Sequence, residues 1–127
     1  MTDSVFVQYV GPMTSTNQAY RRAKFGGMFM SKEGKAFKAG LSDATRRAMA
    51  GRFPISGPVS VELRYHFKTR ANDCDSCLKL TLDAIQGHAI VNDRQIVHLD
   101  ISKFKAEDPD KVGLEMTIRP VPNEDTP

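Results

Sequence analysis

A single α+β domain, built as a small mixed β-sheet packed with two α-helices, is the fold class the sequence predicts, and three observations predict it. Val59, Val61, Leu63, Tyr65 and Phe67 alternate strictly with Ser60, Glu62, Arg64, His66 and Lys68, the period of a strand with one buried face. Phe37, Leu41, Ala44 and Ala48 recur at helical spacing, as one stripe of an amphipathic helix does. Two more alternating runs, Val97, Leu99, Ile101 and Val112, Leu114, Met116, Ile118, follow nearer the C-terminus. At 127 residues the chain can bury one core but not two, so one domain over residues 1–119 with a single site is expected.

The elements follow in order. Val5 to Tyr9 is short and β-rich, and Gly11, Pro12 and the polar stretch to Asn17 mark a strand running into a loop. Between Tyr20 and Met30 the Gly26-Gly27 turn signal precedes Met28, Phe29 and Met30, a second short strand. Ser31 is placed to cap a helix that runs to about Ala50, where Gly51 and Pro54 stop the pattern. Gly34 and Gly40 lower its intrinsic propensity. After the Val59 strand and a polar turn, Asp75 to Gln86 carries Leu78, Leu82 and Ile85 on one stripe, a second helix closed by Gly87. The two C-terminal runs flank Glu107-Asp108-Pro109-Asp110 and are expected to form a β-hairpin. Residues 120–127 hold three prolines and two acids, which predicts a disordered tail.

Composition narrows the function classes. Hydrophobic residues make up 40% without any run long enough to cross a bilayer, and Met1 to Val10 lacks the basic start of a signal peptide. No membrane role is expected, and the expected location is the cytoplasm. The two cysteines, Cys74 and Cys77, lie in one short stretch, which argues against a disulfide framework. Charge is uneven: Tyr20 to Arg52 holds nine Lys or Arg against two acids, or +7, and Lys105 to Pro127 holds three against six, or −3. A basic segment of this kind suits a polyanion such as DNA, because neutralising phosphates releases counterions.

Three carboxylates stand out. On a helix beginning at Asp75, Asp75, Lys79 and Asp83 would form one polar line beside the apolar stripe. Asp73 comes just before that helix and Asp93 just after it, so three acids from three local elements are expected to converge at one end of the sheet. Convergent carboxylates repel one another unless a cation sits among them, and an all-oxygen set suits Mg²⁺, with Mn²⁺ able to substitute. Such a site hydrolyses phosphodiesters, and a lysine one turn away can stabilise developing charge. The competing reading of the same residues is a surface ion pair and a helix cap.

The run Asn72-Asp73-Cys74-Asp75-Ser76-Cys77-Leu78-Lys79-Leu80-Thr81-Leu82-Asp83-Ala84-Ile85 resembles the D-x-D-N-x-x-K-x-x-x-D-A-L pattern of the RusA-type Holliday junction resolvases. Val91-Asn92-Asp93-Arg94-Gln95-Ile96-Val97 is similar to the D-D-x-x-V segment of that family. Thr14 to Tyr20 and Ser31 to Phe37 also resemble its N-terminal half, so the likeness covers nearly the whole chain. The resemblance implies a homodimeric, Mg²⁺-dependent endonuclease of bacterial or phage origin that cuts four-way DNA junctions symmetrically. It implies that Asp73, Asp75 and Asp93 hold the metal, that Lys79 is the essential lysine, and that Asp83 is secondary. Ser76 replaces the family asparagine, Asn92 replaces the first acid of the pair, and Gly11-Pro12 with a longer loop replaces the family's Pro-Pro-x-Asn start; none of these is a presumed ligand. The basic run before the first acid is reduced to Lys68 and Arg70, so DNA contacts are expected to lean also on Arg21, Arg22, Lys24, Lys35 and Lys38.

Two rival classes fit parts of the pattern. Cys74-Asp75-Ser76-Cys77 has the C-x-x-C spacing of a redox dithiol, but the intervening acid disfavours a thiolate. A zinc site needs two further ligands, and His66, His88 and His98 show no paired spacing. The other class is a non-catalytic DNA-binding module in which the basic segment works and the acids are caps; Mg²⁺-dependent cleavage of a four-way junction separates it from a nuclease.

Overall fold

The computed structural model describes residues 4–122. Their order is β1 (Val5–Val10), α1 (Thr16–Ala19), β2 (Tyr20–Arg22), β3 (Met28–Met30), α2 (Lys32–Met49), β4 (Val59–Phe67), α3 (Leu78–Ile85), β5 (Ile96–Lys105) and β6 (Gly113–Pro120). β1, β6, β4 and β5 form one sheet in that spatial order, and β2 with β3 forms a separate hairpin. β6 is antiparallel to both neighbours, whereas β5 lies parallel to β4. The architecture is α+β with a mixed sheet, as expected, though with three helices; the one-turn α1, capped by the Ser15 hydroxyl, is too short to leave a period.

Alternation decides which face is covered. Val5 and Val7 of β1, Val59, Val61, Leu63, Tyr65 and Phe67 of β4, and Leu114, Met116 and Ile118 of β6 are buried against α2 and α3. The opposite face carries Phe6, Glu62, Arg64, His66, Glu115 and Thr117, and no element among the described residues covers it. α2 starts where Ser31 accepts a hydrogen bond from the Gly34 amide and ends at Ala50, whose φ of 51° is left-handed. Its buried line is Phe37, Leu41, Thr45 and Met49, with Ala44 and Ala48 at the margin. Gly34 is buried because it lies against Ala19: a Cβ there would come within 2.8 Å of the Ala19 Cβ.

Three expectations are corrected. The C-terminal runs are not a hairpin, since β6 inserts between β1 and β4 while β5 extends β4 on its far edge. The short connection favoured local pairing, but β6 carries an apolar face of Leu114, Met116 and Ile118 that the sheet centre buries, and the centre buries more than an edge. α3 begins at Leu78, three residues later than expected, because Asp73 to Cys77 is spent in turns and Cys77, at φ −108° and ψ 9°, stands outside the helical region. Its buried residues are Leu80, Thr81, Ala84 and Ile85, with Leu78 and Leu82 half-buried. Pro120 closes β6 instead of opening a tail, and residues 123–127 of the expected disordered tail lie outside the described residues. Among the described residues no helix is long and apolar enough to cross a membrane.

Candidate active site

β4 ends at Phe67, and the chain crosses to α3 through residues 68–77, a loop that exposes Lys68, Arg70, Asp73 and Asp75. Turns shape it: the Ser76 amide donates to the Asp73 carbonyl at 3.1 Å, and the Leu78 amide to the Asp75 carbonyl at 3.1 Å. The Thr16 amide donates to the Ser76 carbonyl at 2.8 Å, tying the loop to α1. Neither carboxylate has an ion pair or hydrogen bond among the described residues. Below them the Thr81 hydroxyl donates to the Cys77 carbonyl at 2.8 Å. With that proton committed, the Tyr65 hydroxyl donates to Thr81 Oγ1 at 2.7 Å. Burial drives the Tyr65 pKa far above that of a free phenol, the Thr81 hydrogen bond offsets part of the rise, and Cys77 and Asp75 add smaller upward pushes. The Asp75 charge is therefore within electrostatic reach of a buried phenol at the Phe67 end of β4.

Asp93 belongs to the other end. It opens a 3-10 turn, Asp93–Gln95, directly before β5. The parallel register pairs Val59 with Ile96 and Phe67 with Lys105, so Asp93 stands at the Val59 end of a nine-residue strand, roughly 30 Å long at the rise of extended backbone. A parallel crossover has this consequence, since the loop entering the helix and the loop leaving it lie at opposite ends of the strands. Among the described residues no group of three His, Cys, Asp or Glu is close enough to hold a metal ion. The expected convergence of Asp73, Asp75 and Asp93 within one protomer is corrected accordingly.

Lys79, one residue into α3, is exposed and lies 3.5 Å from Asp83, its partner one turn on. Asp83 also accepts from the Gln86 amide at 3.4 Å. The polar line loses its first member, because Asp75 sits in the turn. Two residues that the pattern did not single out fix the acidic arms. Gln95 accepts from the amides of Val91 and Asn92 at 2.7 and 2.8 Å and donates to the carbonyls of Ile55 and Gly57 at 2.6 and 2.8 Å. The spacing Asn92-x-x-Gln95 is a capping box, a signal available in the sequence. Lys103 on β5 bonds the 68–77 loop through two carbonyls, and no sequence signal pointed to it.

The basic residues fall into two groups. Arg46 and Arg47 are engaged by Asp43, whereas Arg21, Arg22, Lys24, Lys35, Lys38, Lys68 and Arg70 have no ion pair among the described residues. Arg21 and Arg22 lie exposed on β2, and Lys24 covers the Phe25 ring at 5.6 Å in the hairpin connection. Lys35 is exposed and Lys38 half-buried on α2, and Lys68 and Arg70 share the acidic loop. Beside that loop a cavity of about 520 Å³ is lined by Phe67, Lys68 and Asn72 on one side and Gly11 to Met13 on the other. A larger cleft of about 660 Å³ is lined by His66, Phe104 and Glu115 and includes none of Asp73, Asp75 and Asp93.

The cysteines are free, Cys74 exposed and Cys77 buried. Burial pushes the Cys77 thiol pKa up, partly offset by the Ser76 hydroxyl. A redox dithiol needs one thiol poised as thiolate, and this environment opposes it.

The family model described as endodeoxyribonuclease RusA matches residues 10–119. No curated protein matches the chain.

Proposed function

The chain belongs to the RusA endodeoxyribonuclease family, and from that premise we propose that it resolves four-way DNA junctions by hydrolysing phosphodiesters with a divalent cation held by Asp73, Asp75 and Asp93. The observation that carries this reading is the 68–77 loop. Two exposed carboxylates, two residues apart and without protein partners, share it with Lys68 and Arg70 and are followed by Lys79. Carboxylate oxygens with no competing ion pair are the donor chemistry a hard cation such as Mg²⁺ or Mn²⁺ takes. When bound, the cation supplies Lewis acidity and neutralises charge on the phosphate.

The remaining steps belong to the chain. Lys79 holds a positive charge in the first turn of α3, where it stabilises charge building on the attacked phosphate. The unpaired basic residues on β2, its connection to β3, and α2 hold the arms of the junction by their phosphates, and Lys68 and Arg70 bring the backbone to the acids. Two symmetric cuts need two sites, which a twofold homodimer provides. Asp93 lies at the far end of β4 from Asp73 and Asp75, so the dimer also completes the acid set, with the partner supplying its Asp93.

Cleavage and binding of a synthetic four-way junction, measured on Asp73→Asn, Asp75→Asn and Asp93→Asn, test the reading. Each change keeps side-chain size and removes the negative oxygens. Cleavage is expected to fall at least a hundredfold, on the order of a lost catalytic group, while binding without divalent metal stays equal or tightens. Lys79→Ala is expected to lose cleavage as well. If all three Asp variants cleave like the parent, the acids are caps and the reaction is carried by other residues; a parent that binds the junction without cleaving it is a binding module.

A further inference from the structure

We infer that Lys103 is a positioning residue for the acidic loop, its ammonium fixing the backbone from which Asp73 projects. The inference rests on the reading of Asp73 and Asp75 as metal ligands. Lys103 stands beside Tyr65 in the parallel register, near the Phe67 end of β4 from which the loop departs. Its Nζ donates to the carbonyl of Asn72 at 2.7 Å and to that of Arg70 at 3.1 Å. These bonds join residues 31 and 33 positions apart, so they tie the edge strand to the loop.

Among the described residues no other side chain from outside the loop hydrogen-bonds it there. Among the described residues no other hydrogen bond links residues 68–73 to another element; the Thr69 hydroxyl bonds the Ala71 amide within the loop. The next anchor is the Ser76 carbonyl, beyond both acids. Without Lys103 the chain from Phe67 to Ser76 is held only at its ends, and fixing each free backbone residue costs about 1–2 kcal/mol. Hydrogen bonds from an ammonium are stronger than neutral ones, and two of them grip the carbonyls on either side of Ala71, one residue short of Asp73.

The charge matters as well as the bonds. Both acceptors are neutral and no acid pairs with Lys103 among the described residues, so its positive charge is carried without an ion pair on the backbone that leads into Asp73. Two of its three N–H groups are committed to the loop, which leaves the third to face a phosphate. A residue that only capped the loop would need no charge.

The test compares Lys103→Met, which keeps the aliphatic stem, with Lys103→Arg, which restores charge and paired donors. Mn²⁺ affinity of the intact protein is measured by electron paramagnetic resonance, loop order by amide hydrogen exchange over residues 69–76, and folding by Tm. For Lys103→Met we expect Mn²⁺ affinity to fall roughly tenfold, in the range seen when support around metal ligands is lost, exchange over 69–76 to quicken, and Tm to hold. Lys103→Arg is expected to recover most of both. Unchanged exchange and Mn²⁺ affinity in Lys103→Met overturn the inference. So does lost junction affinity with Mn²⁺ affinity intact, which makes Lys103 a phosphate contact, and so does a lowered Tm with Mn²⁺ affinity intact, which makes the role structural. Asp73→Asn in the same titration separates the two claims. If it leaves Mn²⁺ binding unchanged the ligand reading fails by itself, while exchange over 69–76 still decides whether Lys103 orders the loop.

Discussion

Tyr65 shows how one side chain links the core to the acids. Its ring is fully buried, its hydroxyl meets Thr81, and its pKa is raised chiefly by burial. A phenol whose folded pKa lies above its unfolded value near 10 contributes stability that is fully present below about pH 10 and is lost as the pH climbs beyond it. Tyr65→Phe removes that liability together with one buried hydrogen bond. At neutral pH the variant should therefore be less stable by about 0.5–1.5 kcal/mol, with the deficit narrowing or reversing above pH 10; denaturant melts at pH 7 and pH 11 read the crossing. Tyr65 itself was visible as a core residue from alternation alone. Its coupling to Asp75 was not, because no periodicity says which loop folds over which ring. Lys103 was hidden for the same reason: its sequence neighbours describe a strand, and its partners lie more than thirty residues away.

Elements with a strong period and a local stop signal were foreseen closely. α2 begins after Ser31 and ends at Ala50, and β4 spans the alternating run. What failed was pairing. Whether β5 meets β6 depends on which neighbour buries more apolar surface, a property of the assembled sheet, so the placement of β6 between β1 and β4 could not be read from two alternating runs and a polar loop. The start of α3 was misplaced because an acid and a serine at a helix entrance serve a cap and a turn equally well. Gly34 is a third case. Sequence marked it as a weak point of α2, whereas the structure makes it the site of closest approach to α1, with the Ala19 Cβ at 2.8 Å and the Ala19 Cα at 3.1 Å from an added Cβ. Gly34→Ala gains about 1 kcal/mol of helix propensity and drives a methyl into backbone, an overpacking that costs about 1–3 kcal/mol. Net destabilisation is expected, measured as a lower Tm, and a Tm that rises would show that α1 yields freely.

For the molecule as a whole, the family and its DNA chemistry were legible in the acid and lysine spacing, but the arrangement of the acids was not. Spacing along the chain suggested convergence, and the parallel β4–β5 pair puts Asp93 at the end of β4 opposite the loop that carries Asp73 and Asp75. If the partner supplies Asp93, mixing inactive Asp73→Asn protein with inactive Asp93→Asn protein is expected to restore single-strand nicking, because each mixed dimer then holds one complete site and one doubly defective one. Mixtures that remain inactive after exchange of protomers would confine the site to one chain. The sheet order bears on the making of the protein too. β6 is the last strand described and, among the described residues, the only strand that β1 pairs with, Val5 pairing with Ile118 across almost the entire chain. While residues 113–120 are still inside a ribosome, β1 can pack on α2 but has no strand to pair with, and the place between β1 and β4 is unfilled. The nascent polypeptide thus carries its basic residues and its acids into the cell before it can hold either in place, and a working nuclease exists only after synthesis has passed β6.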